Sequence, residues 1–287
     1  MPTYLPFDPN PRTPNAPLPP KTCDSQFHVF GSVEKYPVRP GAAYQMPTAT
    51  WEAAKRMHDK LGIERGVIVQ NTTYGADHTA MLDTLEVAGP DYRGCANAIV
   101  FVERDDAYID TLHAAGVRGA RFSFRKELGV VLDQKQFDRA IARIRELGWY
   151  VKIQPEKDGI VGSAAYYESL DVPVLIDHMA RPDPQAGADD PNLRRMVDLL
   201  KKGNFWVMLS LAEKTSMAGP PWDDVIPVAR AYLEAAPDRC VWASDWPHPI
   251  SILQPPNDAD LVEAFEQIQR RDDFFVRFAV ETGEQGL

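Results

Sequence analysis

The chain has only six histidines, so any imidazole chemistry must come from His28, His58, His78, His113, His178 and His248. Two of them close apolar, β-rich runs. His28 ends Cys23-Asp24-Ser25-Gln26-Phe27-His28, where strand alternation sends Asp24, Gln26 and His28 to one face. His178 follows Leu175-Ile176-Asp177. A third run, Cys240-Val241-Trp242-Ala243-Ser244, delivers Asp245 ahead of Trp246-Pro247-His248-Pro249. The prolines disfavour a helix there, which weakens the reading of Asp245 as a helix cap. One such histidine would be read as a satisfied core residue. Two at separate strand ends, with a carboxylate at a third, are groups suited to moving protons.

Cationic and amide side chains gather at the same places. Arg121 lies between apolar residues in Gly119-Ala120-Arg121-Phe122-Ser123-Phe124, with Arg118, Arg125 and Lys126 nearby. A buried Arg needs a partner. Either it offers its bidentate fork to a substrate carboxylate, or it pairs with a barrel carboxylate such as Asp24. Lys152 and Gln154 share one face of Tyr150-Val151-Lys152-Ile153-Gln154, and an inward Lys costs desolvation unless paired. Gln70, Asn71, Thr72 and Thr73 close another run, and Lys214 follows a further one.

These residues need a scaffold that brings many strand ends together. Strands are expected at 22–30, 65–71, 94–100, 117–124, 149–154, 172–177, 204–210 and 239–245. Amphipathic helices are expected over Thr50–Leu61, Asp77–Ala88, Asp105–Ala115, Gln134–Leu147, Asn192–Lys202, Pro221–Ala236 and Asp258–Arg271. Gly62, Gly116 and Gly148 each stand just before a strand, as helix-ending glycines do. Unalternating runs such as Val172-Pro173-Val174-Leu175-Ile176 suit parallel strands covered on both faces. Eight such units predict a single (β/α)8 TIM barrel, with chemistry at the ends where strands meet their following loops. An open doubly wound sheet would need a Gly-rich phosphate loop after its first strand, and none follows Cys23. Eight of the 25 prolines fall in residues 1–20. Residues 1–21 are therefore expected as an extended arm on the surface or on a partner subunit, and 22–287 as the barrel.

Composition narrows the partners. Lys and Arg number 31 against 41 Asp and Glu, a net charge of −10, which argues against nucleic acid as the main partner. No apolar run approaches the roughly 20 residues of a membrane span, and Met1 to Pro20 lacks the basic and apolar blocks of a signal peptide. Cys23, Cys95 and Cys240 are too few and scattered for a disulfide framework or thiolate zinc site, so a cytoplasmic location is expected. Monomer and homo-oligomer both remain open.

The pieces together resemble the amidohydrolase-2 branch of the amidohydrolase superfamily, and within it the 2-pyrone-4,6-dicarboxylate lactonase group. The resemblance is carried by Asp24-Ser25-Gln26-Phe27-His28-Val29-Phe30-Gly31, Val67-Ile68-Val69-Gln70 and Arg118-Gly119-Ala120-Arg121-Phe122-Ser123-Phe124. It continues through Ile176-Asp177-His178-Met179-Ala180-Arg181-Pro182-Asp183, Ala218-Gly219-Pro220-Pro221-Trp222-Asp223-Asp224 and Ser244-Asp245-Trp246-Pro247-His248-Pro249. It implies a barrel that hydrolyses carboxylated lactones. Asp245 would activate water, His28 and His178 would polarise the lactone carbonyl, and Arg121 and Tyr44 would hold carboxylates.

The chain also departs from that pattern. Gln26 stands where a second histidine is usual, and a neutral amide is a poor zinc ligand. No cofactor is therefore expected, and a divalent metal of the kind many superfamily members bind is disfavoured. Glu127 occupies a second Arg position, with Arg125 and Lys126 close enough to compensate. Gln154 replaces a substrate-binding Tyr, Lys152 is new, and Lys214 falls near another carboxylate-binding Arg. The expectation is a metal-independent hydrolase of a small anionic lactone, with Asp245, His178 and His28 catalytic. Arg121, Tyr44, Lys214, Arg125, Lys126, Gln26, Lys152, Gln154, Thr72, Thr73 and His248 would bind substrate. The alternative is a lactone isomerase or lyase-type reaction using Asp245 and Lys152, with Lys152 as acid, base or Schiff-base former.

Overall fold

The apolar runs become eight parallel strands, ordered along one sheet as along the chain. They are β1 Cys23–Phe27, β2 Arg65–Val69, β3 Tyr92–Asn97, β4 Val117–Ser123, β5 Tyr150–Gln154, β6 Val174–Ile176, β7 Phe205–Leu209 and β8 Cys240–Trp242. The computed structural model describes residues 4–269, and their side chains as far as residue 264. Helices α1 Trp51–Leu61, α2 Thr79–Ala88, α3 Val100–Glu103, α4 Asp106–Ala114, α5 Gln134–Leu147, α6 Pro191–Leu200, α7 Ala212–Thr215, α8 Ile226–Ala235 and α9 Asp258–Gln269 alternate with them. The sheet curls into the expected (β/α)8 barrel. Its seam is closed just beyond β1 and β8, where Asp245 N–H donates to Gln26 O (3.0 Å) and His28 N–H to Trp246 O (2.7 Å).

Local chemistry explains the regular parts. α5 starts in a capping box between Asp133 and Gln136, and buries Phe137, Ala140, Ile141 and Ile144 on one stripe. It stops at Gly148, whose φ of 66° closes the turn without a Cβ clash. Gly62 does the same for α1. Inside the barrel, Val69, Cys95, Leu175, Met208 and Ala243 pack as one cluster, while the larger core lies between strands and helices. Cys23, Cys95 and Cys240 are buried free thiols. No described helix is long and apolar enough to cross a membrane.

Several elements end sooner than expected. β1 stops at Phe27 rather than residue 30, β6 at Ile176, and β8 at Trp242 rather than Asp245. The third run begins earlier, at Tyr92, and its tail from Val100 is helical. The helix expected from Pro221 starts at Ile226, after a 3₁₀ turn. The end of the run expected to residue 271 lies outside the described residues. Beyond β6 and β8 the backbone turns left-handed at non-glycine residues, with positive φ at His178, Met179, Ala180, Arg181, Asp245, His248 and Ile250. Strand propensity cannot foresee such turns. Residues 4–20 form no helix or strand, and they are tied to the barrel. Leu5 N–H donates to Ser251 O (3.0 Å), Arg12 pairs with Glu263, Tyr4 meets Tyr44 edge-on, and Phe7 lies against Trp246.

Candidate active site

The strand ends surround a cavity of about 160 Å³. His28, Tyr44, Thr72, Arg121, Arg125, Gln154, His178, Lys214 and Asp245 all line it. Leu128, Arg181, Leu211, Pro249 and Ile250 complete the wall.

Asp245 sits in a left-handed turn (φ 57°) that lifts its carboxylate out of the strand path. Its Oδ1 accepts from Gln26 Nε2 and lies 3.4 Å from His28 Nε2, while Oδ2 lies 3.8 Å from Lys214 Nζ. The other ring nitrogen of His28 is 2.7 Å from Val69 O, so both nitrogens face acceptors. Burial works to raise the Asp245 pKa, but the hydrogen bond to His28 and the Lys214 charge outweigh it. The carboxyl stays well below the ordinary range and is ionised near neutrality.

Behind Asp245 stands Asp24, which does not face the cavity with His28. The register shifts between Asp24 and Phe27, which breaks the alternation and turns Asp24 toward α1. There it lies 3.2 Å from His58 Nε2 and accepts from the Ser244 amide (3.0 Å) and hydroxyl. Asp24 thus fixes the residue preceding Asp245.

Arg121 does pair with a barrel carboxylate, but that carboxylate is Asp177. Arg121 Nε donates to Asp177 Oδ2 (2.8 Å) and Nη2 to His178 Nε2 (3.2 Å). Since Nε2 of His178 accepts, Nδ1 carries the proton and donates to Ser210 Oγ (3.0 Å). Burial pushes His178 down to about 3, so the ring is neutral. Lys152 Nζ holds the other Asp177 oxygen at 2.8 Å. Burial works to raise Asp177, yet Lys152 and Arg121 keep it below the ordinary range.

The rim is cationic. Arg125 bonds Glu127 through Nε and Nη2 (2.9 and 2.7 Å), so Glu127 orients it rather than cancelling the pocket. Lys214 donates to Pro249 O (3.0 Å), and Thr72 Oγ1 reaches the Tyr44 hydroxyl at 3.4 Å. Arg181 was not singled out by sequence reasoning. Its Nε has no hydrogen-bond partner among the described residues, and burial pushes its guanidinium down to about 10. The sequence signal for it was position alone, three residues after His178.

Five expected contact residues do not line the cavity. Gln26 is fully buried and donates its amide to Asp245. Lys126 is exposed on the loop after β4. Thr73 is buried against Asn71. Lys152 is fully buried beneath the cavity in its pair with Asp177, a correction to its expected place on the wall. His248 is fully buried behind the wall, 3.4 Å from Glu213 and 3.2 Å from Asp258. Burial lowers the His248 pKa, but the two carboxylates raise it to about 10, so it is a structural imidazolium.

The donor set does not suit a divalent metal. Gln26 turns its NH₂ toward Asp245, and the His178 Nε2 lone pair is occupied by a guanidinium. Among the described residues, no three His, Cys, Asp or Glu side chains converge in a metal-binding arrangement.

The amidohydrolase family model matches residues 23–277. The 4-sulfomuconolactone hydrolase of Hydrogenophaga intermedia is 36% identical over 249 residues, covering 85% of this chain and 81% of that protein. The 2-pyrone-4,6-dicarboxylate hydrolase of Comamonas testosteroni is 34% identical over 276 residues, covering 93% and 90%. A ligand-free crystal structure from Agrobacterium tumefaciens superposes with a TM-score of 0.75 at 24% identity, covering 93% and 94%.

Proposed function

The chain belongs to the amidohydrolase family, and from that premise we propose that it is a lactone hydrolase opening a small carboxylated lactone without a metal, with Asp245 as general base. The observation that carries this reading is an ionised, buried Asp245 carboxylate in a cavity walled by Arg121, Arg125, Arg181 and Lys214. Four cations around a space of about 160 Å³ suit one ring bearing anionic groups.

A water beside Asp245 attacks the lactone carbonyl and loses its proton to the carboxylate as the new C–O bond forms. A depressed pKa is compatible with this role, because the water becomes strongly acidic as it bonds to carbon. His28 and Arg121 donate to the developing oxyanion. Neutral His178, whose own proton is given to Ser210, acts by holding Arg121 in line. Arg125, Arg181, Lys214 and Tyr44 hold substrate carboxylates. The ring C–O bond then breaks, and the leaving alkoxide or enolate takes up the proton.

The test uses 2-pyrone-4,6-dicarboxylate and 4-sulfomuconolactone in ¹⁸O-labelled water, with chelator-treated protein. Asp245→Asn should lose at least about 10³-fold in kcat while the wild type places one ¹⁸O in each product. Wild-type-like turnover in Asp245→Asn refutes the base. Turnover that needs added metal refutes the metal-free mechanism.

A further inference from the structure

The barrel has a second opening, at the end where its strands begin. The cavity there measures about 180 Å³, slightly more than the one at the catalytic mouth. Its walls are Tyr150, Leu175, Trp206 and Val241. Barrel interiors are ordinarily filled by layers of bulky branched side chains. Here β1 contributes Cys23 and Ser25 instead, and the space stays open.

The rim carries Arg65, Arg93 and Arg118 against one acid, Asp91. Arg118 Nη1 donates to the carbonyls of His113 (2.7 Å) and Val117 (2.8 Å), and Arg93 donates to those of Pro90 and Tyr92. Among the described residues, no carboxylate lies within ion-pair distance of Arg93 or Arg118. Burial and the nearby Arg93 charge together lower the Arg118 pKa.

The volume sets the size of the occupant. An apolar cavity of roughly 150 Å³ accepts benzene, so this one takes a single six-membered ring with a small substituent. We propose that the N-terminal opening of the barrel binds a monocyclic aromatic acid, its ring against Tyr150, Trp206 and Val241 and its acid group on Arg93 and Arg118. This site is separate from the catalytic mouth. The two cavities share no lining residue, and Tyr150 lies two residues before Lys152 on β5, roughly 7 Å along the strand from that buried lysine.

Calorimetric titration of the full chain with benzoate, and with benzyl alcohol as the uncharged match, tests the proposal. Benzoate should saturate a site that survives Arg125→Gln at the opposite mouth. Its affinity should fall at least tenfold in the Arg93→Gln/Arg118→Gln double variant, and benzyl alcohol should bind at least tenfold more weakly than benzoate. Both arginines sit at the rim, so circular dichroism of the double variant should match the wild type. Absence of saturable benzoate binding, equal affinity in the folded double variant, or loss of all binding in Arg125→Gln overturns it.

Discussion

Replacing Asp177 by Asn is the sharpest probe of how the site is held. The carboxylate is fully buried and lies 2.8 Å from both Lys152 Nζ and Arg121 Nε. The amide is nearly the same shape, so the change removes charge and little volume. Two cations would then stand in the barrel interior without an anion. Removing one partner of a buried pair costs about 3–5 kcal/mol, because the charge left behind is desolvated and uncompensated. At about 2–3 °C per kcal/mol for a chain of this size, the melting temperature should fall by roughly 6–15 °C. Adding Lys152→Met removes one stranded cation, so the double variant should melt above Asp177→Asn alone. The Asp177 pKa is lowered by folding, so its contribution is complete above the ordinary carboxylate range and lost only as pH falls through the folded value. The gap between wild type and variant should therefore be constant from about pH 5 to 8. Calorimetry of the three proteins across that range decides the matter. A drop under about 2 °C, or a double variant no better than the single, would refute the account of Asp177 as the shared counter-ion. Lys152→Met alone should keep measurable turnover. Complete loss of activity in a folded Lys152→Met protein would restore that lysine as a chemical participant.

His248→Gln addresses the buried imidazolium between Glu213 and Asp258. Its folded pKa of about 10 exceeds the ordinary 6.5, so its stabilisation is full below pH 6.5 and lost as pH rises toward 10. That amounts to on the order of 4–5 kcal/mol of alkaline sensitivity, which denaturant titrations at pH 6 and 10 should find much reduced in the variant. An unchanged alkaline slope would count against it. Gly119→Ala would set a Cβ about 2.4 Å from the Tyr150 ring. It should cost about 1–3 kcal/mol by overpacking, and an unshifted melting temperature would contradict that.

The barrel was legible because its signals are local. Apolar runs, helical stripes and the glycines at 62 and 148 each report on a few neighbouring residues. The need of Arg121 for a partner was equally plain, since a buried guanidinium demands one. Which carboxylate answers depends on strand register. Arg121 pairs with Lys152 across β4 and β5, and Lys152 with Leu175 across β5 and β6, which brings Asp177 to both. Asp24 was misplaced by the shift in β1, where one irregular step reverses the facing of a side chain. Arg181 and Asp245 owe their directions to left-handed turns at non-glycine residues, which no propensity scale marks. His248 resembled its neighbours at the mouth until Asp258, the first residue of α9, closed over it.

The seam between β1 and β8 has a consequence for when this protein becomes active. Two backbone bonds seal it, and their four residues are Gln26, His28, Asp245 and Trp246. Gln26 and Asp245 are separated by 219 positions, so the Asp245 carboxylate meets its partners only when the two ends of the barrel come together. Contacts that distant form late, after the entropy of closing the intervening loop has been met. A nascent chain therefore lacks this arrangement until its last strand has docked on its first, and the same two bonds that complete the cylinder also assemble the proposed site.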